Sequence, residues 1–151
     1  MKNIASIFLL FLIISCGKTK KQQEEDLAKT DKTAQETGHE TFSSKEGDTT
    51  YIMQKYFMVF LKKGPQRDQD SILEAKIQEK HLAHLEKLYL DGKTCITGPF
   101  ESEGDVLGIV VFNTPTFKEA DSLANADPAV KAGRLVVETH PWWAAKGSVL
   151  K

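Results

Sequence analysis

An α+β fold built on one antiparallel sheet is what this sequence predicts, and three observations predict it. Residues 56–61 and 107–112 are unbroken apolar runs rich in β-formers, the pattern of strands buried on both faces. Between them, Leu73, Ile77, Leu85 and Leu88 recur at steps of three and four, which is one face of a helix over about 72–90. Turn pairs separate the elements at Gly64-Pro65, Asp91-Gly92, Gly98-Pro99 and Asp127-Pro128.

Taken in order, the chain starts outside the fold. Lys2 precedes an apolar run at 7–14 that is too short to cross a bilayer as a helix, so residues 1–15 read as a signal peptide. The run ends in Ile13-Ile-Ser-Cys16-Gly17, which resembles a bacterial lipobox. The resemblance implies that Cys16 carries a lipid and anchors the protein in the cell envelope. Gly17 is not the Asp that commonly holds lipoproteins at the inner membrane, so the outer membrane is the preferred location. Buried acyl carbons contribute about 0.8 kcal/mol each, enough for two or three chains to hold the protein on lipid. Residues 16–50 are polar, with Leu27 and Phe42 as their only large apolar side chains. They read as a disordered tether, reaching ~30 Å and carrying a solvated His39. The folded domain is then 51–151.

A net charge of −1, with no basic run among aromatics, argues against nucleic-acid binding. With Cys16 acylated, Cys95 is alone and reads as a small buried residue on a strand.

Within the domain, Ser71-Ile-Leu-Glu74 is a capping box opening the first helix. The more polar strand at 93–97 suits an edge. Residues 101–105 make a turn before the strand at 107–112. Thr116-Phe-Lys-Glu119 is a second capping box, with Phe117, Ala120, Leu123 and Ala124 inward. Asp127-Pro128 breaks that helix, one further turn ends at Gly133, and a last strand over 134–140 stops at Pro141. The order βαββαβ is ferredoxin-like, with a four-stranded antiparallel sheet. Two helices cover one sheet face, yet both central strands are apolar on both faces. A homodimer is the expected cover for the second face.

His81 and His84 stand on the apolar face of the first helix, where Leu or Ile is usual. Each reads as a core histidine bonded to a carbonyl or as a functional imidazole. They are spaced to share a metal, but no third ligand has recognisable spacing, so no metal site and no cofactor are assigned. Asp127 reads as an N-cap before Pro128, a role one carboxylate oxygen can fill while the other does something else. His140 lines a pocket or faces solvent. Gly98-Pro99 is a turn, or backbone lining a ligand site. Arg67 anchors an anionic ligand or is a solvated loop residue. Trp142 and Trp143 read as core or dimer packing in preference to a stacking platform.

The residues 55–144 resemble the YCII-related (YciI-like) family, small dimeric α/β-barrel domains. The resemblance is carried by His81-Leu-Ala-His-Leu, Gly92-Lys, Thr97-Gly-Pro-Phe100, Phe117-Lys-Glu-Ala120, Ala126-Asp-Pro-Ala-Val-Lys-Ala-Gly133 and Glu138-Thr-His-Pro-Trp-Trp143, in that order. It implies a His81–Asp127 catalytic pair and a small-molecule ligand, with lyase- or dehydrochlorinase-type activity on hydroxylated rings in some members. Two functions follow as expectations. One is acid–base, lyase- or isomerase-type catalysis on a small polar or hydroxyaromatic molecule. The alternative is a non-catalytic module of the envelope that binds a small ligand or a protein.

Overall fold

A computed structural model describes residues 19–101 and 104–150; the expected signal peptide and lipidation at Cys16 lie outside them. The elements are α1 (Lys20–Glu36), β1 (Thr41–Glu46), β2 (Thr49–Lys63), α2 (Ser71–Leu90), β3 (Thr94–Pro99), β4 (Val106–Phe112), α3 (Phe117–Asn125), α4 (Pro128–Lys131) and β5 (Leu135–Ala145). The sheet is antiparallel and has five strands, one more than expected. β2 runs through its centre, pairing with β4 on one side (Val59 opposite Val110) and β5 on the other (Val59 opposite Thr139). β3 lies outside β4, where its polar content suits an edge. From β2 onward the connectivity is βαββαβ, as expected. β1 is the addition. It pairs with β2 at Thr41–Gln54, while Ala144 pairs with the same Gln54 from the far side, so β1 lies on the β4 side.

The core follows from strand alternation. Phe57, Val59 and Leu61 of β2 point to one face, with Val110, Phe112 and Leu135 beside them. Ile77 and Leu88 of α2, Ala120 and Ala124 of α3 and Ala129 of α4 close over that face. Leu73, expected inward with them, is 46 % exposed.

The expected tether is instead mostly structured. Thr19 caps α1 through Gln22 N–H, and the helix closes at Gly38 with φ 76°. Among its described side chains the covered ones are Leu27, Thr30, Asp31 and Ala34, spaced i, i+3, i+4, i+7. Asp31 accepts a hydrogen bond of 2.6 Å from the Thr41 hydroxyl. Thr41, Ile52 and Gln54 share the face opposite Phe57 and Val59, so α1 covers the start of the face that the later helices leave open. The rest of that face carries Tyr56, Met58 and Phe60, half-buried, beside exposed Val136, His140 and Trp142.

Three local expectations change. The cap of α2 is Asp70, whose carboxylate accepts from Leu73 N–H at 2.8 Å; Glu74 turns away to pair with Arg134. Pro141 does not end the last strand but sits within β5 opposite Phe57, tolerated because β5 is an edge. Cys95 is exposed, at an irregularity in the β3–β4 register between Thr94 and Ile96.

Candidate active site

The local sequence places one carboxylate with care. α3 ends at Asn125, and Pro128 excludes the α region for the residue before it. Asp127 accordingly takes φ −56° and ψ 130°, and its side chain folds back over α4. Its Oδ1 accepts from Ala129 N–H at 2.7 Å, the capping bond expected of Asp before Pro. Its Oδ2 lies 2.6 Å from Nδ1 of His81. His81 projects from the middle of α2, one turn after the buried Ile77. Asp127 is 2 % exposed and His81 8 %, so little water competes for this bond.

A carboxylate in its ionised form only accepts hydrogen bonds, and in that form it accepts the bond from Nδ1–H. Nε2 of the neutral ring then carries the lone pair. It has no hydrogen-bond partner among the described residues, and the side chain keeps 10 % of its surface. A ring held at one nitrogen and free at the other can accept a proton at the free one.

The other candidates are elsewhere. His84 Nε2 meets the Leu123 carbonyl at 3.1 Å and ties α2 to α3. Gly98 and Pro99 pair with Ile109 and Gly108 at the outer strand, and Gly98 leaves no room for a side chain at Gly108. Arg67 donates to the Arg134 carbonyl at 3.1 Å and pins the loop before α2. His140 is on the open sheet face, across the sheet from His81, with Glu138 at 2.7 Å and Phe60 edge-on to it. Lys62 also bonds Glu138, and it holds that carboxyl below the usual range, with His140 adding to the effect. The Cys95 thiol points at the Val111 carbonyl, 3.5 Å away. Although the residue is exposed, desolvation there pushes the thiol pKa up against the opposing Ile96 N–H, which disfavours a thiolate nucleophile. No group of three or more His, Cys, Asp or Glu among the described residues could hold a metal.

A groove of about 510 Å³ lies between α2 and α4, lined by Leu73, Ile77 and Lys80 of α2 and by Pro128, Lys131 and Ala132 at α4; His81 and Asp127 adjoin its lining in sequence but are not part of it. Gln69 closes one part, its side chain engaged with Ala132 and Arg134. The sequence reading missed these residues. The one signal was Leu73, Ile77 and Lys80 sharing a helix face with His84.

The chain matches the YCII-related domain over residues 56–142. It belongs to that family. The YCII-related domain thus begins within β2 and ends within β5, leaving α1 and β1 outside it. His81 and Asp127 both fall inside. One similar solved structure is 5-chloro-2-hydroxyhydroquinone dehydrochlorinase (TftG) from Burkholderia phenoliruptrix AC1100, in complex with 2,5-dihydroxybenzoquinone. It is 24% identical, covers 58% of this chain and 92% of its own, and has a TM-score of 0.45. No curated protein matches the chain.

Proposed function

We propose that this YCII-related protein binds a small polar or hydroxyaromatic molecule and moves a proton on it, with His81 as base and Asp127 as its orienting partner. The observation that carries the reading is the buried 2.6 Å bond at Nδ1 with Nε2 left unpartnered. Asp127 fixes the ring's tautomer and favours the imidazolium formed as the proton arrives. Such acid–base help contributes about 10²–10⁴-fold. The test is deuterium exchange from solvent into a panel of hydroquinones and catechols, followed by NMR. Exchange accelerated by wild type and lowered about 10²–10⁴-fold in His81→Gln supports the base. Equal rates with both proteins remove it.

The second reading, a binding module without turnover, is favoured by one observation. Asp127 already has a structural duty in capping Ala129, which explains its burial without chemistry.

We further propose a lipid anchor at Cys16 in the bacterial envelope and a homodimer through the open sheet face. Only Gly17 and Lys18 separate Cys16 from the Thr19 cap. The linkage then reaches about 10 Å at most, well short of the leash a disordered tether would give. Tyr56, Met58, Phe60 and Trp142 supply the apolar surface for the dimer.

A further inference from the structure

The groove between α2 and α4 is chemically divided. Leu73, Ile77, Pro128 and Ala132 give it an apolar lining, and Lys80 and Lys131 add two ammonium groups. Lys32, Lys55, Lys62, Lys87 and Lys93 each pair with a carboxylate. No ion pair is formed by Lys80 or Lys131 among the described residues. Of the carboxylates near the groove in sequence, Asp127 is held by His81, Glu74 by Arg134 and Asp70 by the Leu73 N–H, while Asp68 and Glu79 form no ion pair among the described residues. Two unneutralised cations over an apolar lining complement an amphipathic anion. A volume of about 510 Å³ is in the range of small-molecule pockets.

We propose that this groove is the specificity subsite for a small aromatic anion, a carboxylate or phenolate. The ring rests against Leu73, Ile77 and Pro128, and the charged oxygen is held by Lys80 and Lys131. Lys80 precedes His81 and Pro128 follows Asp127, so the groove shares its backbone with the dyad. This rests on the acid–base reading only for what happens to the ligand after it binds. Anion recognition itself stands on the groove.

The experiment uses the full chain and benzoate as probe, with benzamide as its uncharged match, read by ¹H–¹⁵N NMR titration. Benzoate should shift the amides of Ile77, Lys80, Lys131 and Ala132 saturably, and bind at least about tenfold tighter than benzamide at low salt. Raising the ionic strength should erode that preference. Both lysines are exposed, so Lys80→Gln/Lys131→Gln should fold and bind the two probes alike. His81→Gln should keep benzoate binding. Equal affinities in wild type, or shifts confined to the open sheet face, overturn the proposal. A wild type that binds benzoate in the groove but exchanges no protons upholds the subsite and removes the acid–base reading.

Discussion

One carboxylate does two jobs at the residue scale, and substitution can separate them. Asn caps a helix about as well as Asp, so Asp127→Asn should leave the unfolding free energy within a few tenths of a kcal/mol of wild type. Losing the charge should still lower proton exchange by about 10²-fold or more. Asp127→Ala removes the cap, about 1 kcal/mol, and strands the buried His81 Nδ1, a further ~1–3 kcal/mol. Urea unfolding of both variants checks this; an Asn variant as unstable as Ala would mean that the charge itself holds the fold. The cap was legible in Asp127-Pro128 alone, and the partner His81 through the family resemblance. The bond from His84 to Leu123 was not, because a backbone carbonyl on another helix leaves no mark in sequence. Lys80 and Lys131 were equally silent: an unpaired surface lysine reads like a paired one.

The elements of the YCII-related core were read nearly in place, since their apolar periods are strong. α1 escaped because Thr30 and Asp31 are among its covered side chains, so no hydrophobic stripe announces it. Its attachment should depend on pH. His39 follows α1, and its Nε2 is buried without a partner, as is Oε1 of Gln54. Desolvation lowers the His39 pKa, opposed by the nearby Asn113 backbone; Lys146 and Lys93 add to the lowering and Glu119 opposes it. A depressed histidine favours the neutral ring in the native state. The docked state should therefore be most stable above the unfolded value of about 6.5, and lose stability as pH falls toward the folded one. Hydrogen exchange around Ala34, corrected for intrinsic rates, should rise over that window in wild type and not in His39→Gln. A second element-scale prediction concerns Gly64, where a Cβ would lie 2.1 Å from the Gly133 carbonyl oxygen. Gly64→Ala must displace backbone that closes α4, at a cost of about 1–3 kcal/mol by urea melts. An unchanged midpoint would show that this contact yields freely.

For the whole molecule, the expectation of an uncovered sheet face holds only in part, since α1 occupies its beginning. What remains still carries Tyr56 against Trp142, ring centroids 6.2 Å apart, and Phe60 against His140. A form from Thr19 onward should sediment as a dimer at micromolar concentration, and Phe60→Glu should return it to monomer. A soluble monomeric wild type would leave this face to some other partner. Anchoring is tested at the same scale: Cys16→Ser should abolish palmitate labelling of the full chain, and persistent labelling would exclude the lipobox. The proline inside β5 bears on which assemblies can grow. β5 is an outer strand, and Pro141 offers no N–H there. An incoming strand would meet a gap in its hydrogen-bond ladder midway along, so ribbon-like stacking of copies edge to edge is blocked on that side. The rim is blunted against fibrils while the apolar face beside it stays open.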